Sequence, residues 1–343
     1  MKTKRLGRTG LVVSEVGFGG IPIIPLPFDK GAAVVRHCYD RGITFFDTAN
    51  AYRDSERKIS RALAGVRDRV VLATKTLKRD REGTAQQIEE SLAGLGTDHI
   101  DLYQLHHVSN KETLAQVTAP GGACEAVNDA IAAGKIRFLG ITSHRVETAI
   151  EACLTDLFST VQIPFNFMEL EPAGELFSVA RQHDVGIIAM KPLGGGLLQR
   201  ADLCFRFLQQ YPDVIPVAGV MSTAEIDEIL ALYASPRALS EADRVQMEEI
   251  RAGLGKRFCH RCGYCLPCEQ EVKIPEAMIF PSVVKRFQPA IAAEFMAEAM
   301  KSALGCSACG KCVERCPYDL PIPDMLKESL ALFNQALGHA AEG

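Results

Sequence analysis

Eight of the twelve cysteines fall between Cys259 and Cys316. They form two cassettes, Cys259-x-x-Cys262-x-x-Cys265-x-x-Cys268 and Cys306-x-x-Cys309-x-x-Cys312-x-x-x-Cys316-Pro317. Thiols clustered in a reducing compartment suggest metal rather than disulfides. Zinc uses paired C-x₂-C units. A third cysteine at the same spacing and the trailing Cys-Pro point instead to iron–sulfur chemistry. The other four cysteines, Cys38, Cys124, Cys153 and Cys204, are scattered and read as small buried hydrophobes. A second set of reactive types stands far upstream: Asp47, Tyr52, Lys75 and His106. These are side chains of general acid–base chemistry. Singly, each fits a structural ion pair or hydrogen bond. Together they need a scaffold that brings them to one place.

That scaffold is legible as alternation. Short β-branched runs occur at residues 13–19, 44–48, 70–76, 101–108, 136–143, 160–166, 186–192 and 214–220. Between them lie helical patterns at 31–41, 55–64, 84–95, 122–133, 146–154, 174–183, 201–211 and 223–233, with apolar residues three and four apart, as in Ile88, Leu92 and Leu95. Strand–helix alternation implies parallel strands with right-handed crossovers. Eight units in roughly 230 residues is the length of a (β/α)₈ TIM barrel. A doubly wound sheet is the alternative, but Gly17-Phe18-Gly19-Gly20 lacks the third glycine of a G-x-G-x-x-G turn. In a barrel, residues at the C-terminal strand ends build the site. Asp47 and Tyr52 follow the second strand, Lys75 ends the third and His106 ends the fourth. His107, next along, is expected to face the other way and to be structural.

The whole chain sets limits. Its 343 residues suit one large domain or about two ordinary ones. With 47% apolar residues it can bury a large core, and a net charge of −4 offers no basic field for nucleic acid. No apolar run follows the charged N-terminus, and none reaches the ~18–20 residues needed to cross a bilayer. A cytoplasmic protein without a membrane partner is expected. Composition shifts at Gly255-Lys256-Arg257, so the expected domains are 1–250 and 251–343. The second would be a small α-helical iron–sulfur domain closed by a helical tail at about 324–337.

Five stretches, Gly42-Ile-Thr-Phe-Phe-Asp-Thr-Ala-Asn-Ala-Tyr52, Ala73-Thr-Lys75, Asp101-Leu-Tyr-Gln-Leu-His106, Gly140-Ile-Thr-Ser143 and Lys191-Pro-Leu-Gly194, resemble the aldo-keto reductase superfamily in order. The resemblance runs through residues 4–233. It implies a catalytic tetrad of Asp47, Tyr52, Lys75 and His106. Hydride reduction of a carbonyl leaves an alkoxide that needs a proton. Tyr52 would supply it, although a free phenol titrates near 10. Lys75 would stabilise the phenolate, Asp47 would hold Lys75, and His106 would orient the carbonyl oxygen.

The same resemblance implies a nicotinamide dinucleotide, NADPH or NADH, laid across the barrel mouth without a Rossmann turn. Ser143 and Gln162 would hold the carboxamide. His144 stands where the family usually has Asn, and Met190 where it stacks a tyrosine on the nicotinamide. Lys191 would face a phosphate, and Gly19, Leu193 and Gly194 would line the same channel. Gly219, Met221 and Ser222 would take the adenosine phosphate. Glu225 occupies the place of an arginine that grips the 2′-phosphate in many members. A carboxylate repels a phosphate and accepts from a ribose hydroxyl, which weakens the case for NADPH.

The second cassette matches the bacterial ferredoxin run, in which the fourth cysteine ligates the other cluster. The tandem also resembles the ferredoxin-like tail of one aldo-keto reductase subgroup. Two 4Fe–4S clusters with crossed ligands are therefore expected. Cys259, Cys262, Cys265 and Cys316 would hold one, and Cys306, Cys309, Cys312 and Cys268 the other. The first cassette departs from the run in its last gap, and Glu269 replaces the proline. The expected function is an oxidoreductase acting on a small carbonyl or alcohol, coupled to electron transfer through the clusters and to a redox partner protein. Purely structural clusters, or a redox-sensing regulatory barrel, are the alternatives.

Overall fold

The computed structural model describes residues 1–261 and 263–341, so Cys262 lies outside the described residues. The chain divides into two compact units. Met1–Gly194 with Arg200–Leu239 form the first, and Gly195–Gln199 with Ser240–Gly343 form the second. The helix Glu241–Leu254 thus counts with the second unit, whereas the sequence reading places most of it in the barrel domain.

The first unit is a closed barrel of eight parallel strands. They are β1 (Gly17–Gly19), β2 (Phe45–Asp47), β3 (Val71–Thr76), β4 (Ile100–Leu105), β5 (Ile136–Thr142), β6 (Thr160–Pro164), β7 (Gly186–Met190) and β8 (Val214–Ala218). Each pairs with the next, and β8 pairs with β1. Parallel strands covered by helices are buried on both faces. Every residue of β3, β4 and β6 is buried, including Lys75, Gln104 and Gln162. Such burial forces those polar groups to find partners.

One expected strand, 13–19, is split. Its first part, Val12–Ser14, pairs antiparallel with Thr3–Arg5 in a hairpin, and only Gly17–Gly19 enters the barrel. The Ser14 hydroxyl donates to the Val16 carbonyl at 2.6 Å and fixes the bend between them. Leu6, Leu11 and Val13 of the hairpin join Phe45, Val71, Leu102, Ile188 and Ile215 in one apolar cluster. The hairpin therefore plugs the barrel interior. Its tip depends on Gly7, at φ +52°, where a Cβ would stand 2.1 Å from the Gly186 nitrogen.

A further helix, Lys111–Thr118, precedes the expected helix at Ala123–Ala132. Asn110 caps it by accepting from the Thr113 amide at 2.7 Å. Only Leu114 and Val117 of this helix are buried, so its apolar pattern is faint.

The second unit is helical. Its longer helices are Glu241–Leu254, Phe280–Arg286, Pro289–Ala303 and Ile322–Ala341. A capping box of Ser240 and Asp243 starts the first. The core is built from Phe280, Met296, Met300, Leu326 and Phe333 with several alanines, and Cys316 is buried within it. Among the described residues, no helix is long and apolar enough to cross a membrane.

Candidate active site and cysteine cavity

The barrel brings four expected residues to one end of the strands. Asp47 is the last residue of β2, and its register partner is Ala73, two residues before Lys75. Residues two apart on a strand face the same side. Lys75 Nζ donates to Asp47 Oδ2 at 2.7 Å and to the Thr48 carbonyl at 2.5 Å, and both side chains are almost wholly buried. Burial pulls the Lys75 ammonium down from its ordinary value, and the Asp47 carboxylate opposes that. The ammonium lies 5.4 Å from the centre of the Tyr52 ring. The Tyr52 hydroxyl is 3.4 Å from His106 Nε2, with the two rings edge to face.

His106 lies just beyond β4, where its amide donates to the Thr76 carbonyl at 2.8 Å. Burial first, then the neighbouring Lys75, His107 and Arg79, hold its imidazole well below the ordinary range. Its ring is therefore neutral at neutral pH. The chemistry available is proton donation from a phenol, with a buried ion pair behind it and a neutral imidazole beside it.

The remaining barrel positions are arranged as follows. The Gln162 amide donates to Asp47 Oδ2 at 3.3 Å, and its buried Oε1 has no partner among the described residues. The Ser143 hydroxyl donates to the Arg145 carbonyl at 3.0 Å, shaping the turn into helix Val146–Leu154. The His144 amide donates to the Ser109 hydroxyl, and its ring meets His107 with Nδ1 atoms 3.1 Å apart. Met190 packs against the barrel core. Lys191 adopts φ +56°, and its carbonyl accepts from the Asn166 amide at 3.1 Å and the Gly194 amide at 2.8 Å. Leu193 lies in that same turn, half-buried. Gly19 ends β1 and Gly219 follows the neighbouring strand β8, and a Cβ on Gly219 would press on Pro22 at 2.9 Å.

Ser222 caps helix Thr223–Ala234 by accepting from the Glu225 amide at 3.3 Å. Glu225 reaches back to accept from the Met221 amide at 2.7 Å. Its carboxylate thus sits at the positive end of the helix, where an anion is stabilised.

In the second unit, Cys268, Cys306, Cys309 and Cys312 line one pocket, together with Cys265. Cys316 is not in that lining and is buried in the helical core. Burial pushes the Cys312 thiol up, and the Cys306 and Cys309 thiols add to the rise. Among the described residues, no three His, Cys, Asp or Glu side chains converge on one point as a single ion requires. The sulfurs stand instead around the walls of the cavity. Cys262, the remaining expected ligand, lies outside the described residues.

Residues 15–203 match the aldo/keto reductase family, more than half of the chain. The protein belongs to that family. Residues 258–321 match the 4Fe-4S dicluster domain. The chain is 30% identical over 228 residues to the uncharacterized oxidoreductase YrpG of Bacillus subtilis (strain 168), covering 58% of this chain and 68% of that one. It is 32% identical over 219 residues to the aldo-keto reductase str7 of Strobilurus tenacellus, covering 58% and 63%. The latter match spans less than two thirds of the fungal protein. Among solved structures, the aldo-keto reductase AKR11C1 of Bacillus halodurans superposes with a TM-score of 0.62 at 23% identity, over 73% of this chain and 96% of that one. An aldo-keto reductase of Klebsiella pneumoniae in complex with NADPH gives 0.62 at 24%, over 73% and 94%.

Three residues of or behind the barrel site were not singled out from sequence. Gln104 donates to Asp47 Oδ1 at 2.9 Å. Its signal was present, since it lies two residues before His106 and so faces the same way. Arg79 donates to the carbonyls of His106 at 2.7 Å and His107 at 3.1 Å. Nothing in local spacing reveals that clamp. Lys58 is fully buried and donates to the carbonyls of Ile23, Ile24 and Leu26, pinning the loop after β1. His107 takes φ +58°, so the strand has already ended and alternation no longer sets where its ring points.

Proposed function

We propose that this aldo/keto reductase interconverts a small-molecule carbonyl and its alcohol with a nicotinamide dinucleotide. The observation that carries the reading is the buried Lys75–Asp47 pair beside Tyr52, with His106 3.4 Å from the Tyr52 hydroxyl. Bound at the strand ends, the dinucleotide supplies or accepts the hydride. The residues present fit it. Gln162 Oε1 is a buried acceptor without a partner, suited to a carboxamide N–H. Tyr52 delivers the proton to the developing alkoxide. Lys75, held by Asp47, stabilises the phenolate left behind. Asp47 in turn is fixed by donors from Lys75, Gln104 and Gln162. Neutral His106 orients the carbonyl oxygen, and Arg79 fixes the backbone that carries it.

Glu225 favours NADH over NADPH, because its carboxylate already sits at the helix N-terminus where a 2′-phosphate would need a cation. In the second unit, the pocket lined by Cys268, Cys306, Cys309 and Cys312, with Cys265 beside them, suits one 4Fe–4S cluster, and Cys259, Cys262, Cys265 and Cys316 would be the donor set of a second. Bound clusters supply one-electron chemistry. They couple the reductase to a redox partner protein in the cytoplasm, where free thiols persist.

The test is oxidation of NADH and of NADPH against a panel of aldehydes and ketones, with the wild type and Tyr52→Phe. Turnover in the wild type and its loss in the variant support the assignment. Equal rates in both proteins reject it. An absence of turnover in a wild type that binds nucleotide favours a regulatory barrel.

A further inference from the structure

Two separate contacts join the two cassettes, and each lies beside a different cysteine set. His260 follows Cys259 in the chain, and Tyr318 lies two residues after Cys316. Their rings are stacked, with centroids 3.7 Å apart and planes 12° from parallel. Phe258, itself buried, meets the His260 ring edge-on at 4.9 Å. On the other set, Glu269, which follows Cys268, is ion-paired with Lys311, which precedes Cys312. Arg315 also donates to the carbonyl of Pro267, the residue before Cys268, at 2.5 Å.

We propose that these are two cluster-specific clasps. The His260–Tyr318 stack holds Cys316 to the first cassette. The Glu269–Lys311 pair, with Arg315 on Pro267, holds Cys268 to the second. The proposal rests on the crossed two-cluster reading above. The physical need is plain. A cluster's fourth thiolate must come from the other cassette, roughly fifty residues along the chain, and closing a loop of that length costs conformational entropy. A contact one or two residues from the donor forms the closure before the cluster does. The departure of the first cassette from the ferredoxin run then has a use: Glu269, in the place of proline, supplies the anion for Lys311.

The clasps differ in physics. Stacked rings bury apolar area and are insensitive to salt. The Glu269–Lys311 pair is about half exposed, with side chains 63% and 49% accessible, so salt screens it. The Cys268 side should therefore loosen as ionic strength rises, and the Cys316 side should not.

The experiment is iron release from the anaerobically purified full chain to a ferrous chelator. The wild type is expected to release about eight irons per chain. His260→Ala should speed release of half of them by about two- to ten-fold, the range set by an aromatic pair. His260→Phe, which keeps the stack, should restore the wild-type rate. Lys311→Ala should speed the other half by no more than about five-fold, and only at low salt. In a Cys316→Ala background, which retains only the Cys306 set, His260→Ala should change nothing. A wild-type rate in His260→Ala, a failure of Phe to rescue, or an effect that persists without Cys316 overturns the stacking clasp. Acceleration by Lys311→Ala that is equal at all salt concentrations overturns the ionic one. A wild-type content of about four irons is visible before any variant is made. It removes the two-cluster reading, and the clasps fall with it.

Discussion

The barrel and the cysteine unit organise their reactive groups in opposite ways. In the barrel, Asp47 accepts from Lys75, Gln104 and Gln162, so the site is held by strand register and buried hydrogen bonds. In the second unit, Cys306, Cys309 and Cys312 line one pocket, where burial first and then the neighbouring thiols of Cys306 and Cys309 raise the Cys312 thiol. Thiolates so placed are stable together only with a cation among them. The cores differ in composition: the barrel buries Phe45, Phe46, Phe165 and many β-branched residues, while the second unit adds many alanines and methionines to Phe280 and Phe333. One site is made by the fold. The other is made by the fold with its metal.

Iron removal tests that contrast most strongly. The second unit places its two cysteine cassettes about fifty residues apart, so a cluster bound by both would tie the unit together and metal binding would contribute to its folding. Under chelator and reductant, the expected outcome is loss of its helical signal while the barrel stays folded. Circular dichroism and amide exchange read the two separately. If the residues from Ser240 onward stay as protected without iron as with it, the contrast is wrong.

Tyr52→Phe is next in size. General acid catalysis contributes about 10²–10⁴-fold. The expected outcome is a fall of that order in kcat for carbonyl reduction, with nucleotide affinity unchanged. An equal loss of affinity would mean that Tyr52 holds the cofactor rather than the proton.

How much of this was legible in the sequence follows from the same contrast. Most barrel strands announce themselves as short β-branched runs ahead of an amphipathic helix, while β1 (Gly-Phe-Gly) and β2 (Phe-Phe-Asp) are placed by that alternation rather than by their own composition. The four residues at their ends follow from the strands. The plug hairpin was hidden because Val12–Ser14 and Gly17–Gly19 run together in sequence, and the bend between them depends on the Ser14 hydroxyl. Arg79 and Lys58 were hidden because they act on backbone carbonyls distant in sequence or in a loop, which no spacing rule encodes. The cysteine cassettes were the most visible motif in the chain. The helices Phe280–Arg286 and Pro289–Ala303 between them were not: the first is only seven residues long, and the second is alanine-rich and shows little contrast between its faces.

Glu225→Arg is a smaller test, of how far register alone sets cofactor choice. The substitution replaces a carboxylate at the helix N-terminus with a side chain that binds phosphate bidentately. A single charge-assisted contact changes binding by roughly ten-fold. The expected outcome is a shift of that size in the ratio of NADH to NADPH dissociation constants, measured by fluorescence titration. A ratio that does not move places the 2′ position elsewhere.

The smallest expected effect is in pH. Burial, with Lys75, His107 and Arg79 nearby, keeps His106 neutral well below the ordinary imidazole range. A free imidazole, with a pKa of about 6.5, would be mostly protonated at pH 5.5. In the barrel site, kcat/KM for carbonyl reduction should instead stay within about two-fold from pH 8 to 5.5, because it reports groups of the free enzyme. The cost appears in stability. Above the unfolded value both states carry a neutral ring, and His106 contributes no pH dependence. As pH falls through about 6.5, the unfolded chain takes up a proton that the folded chain does not, so stability declines. The decline ends only below the depressed folded value, where both states are protonated. Urea denaturation of the barrel at pH 8, 6.5 and 5.5 measures it, with His106→Asn as the control that should flatten the trend. A rate profile with a limb near 6.5 that vanishes in His106→Asn would show an imidazole titrating as it does in water. Burial would then not be what sets the protonation of this site.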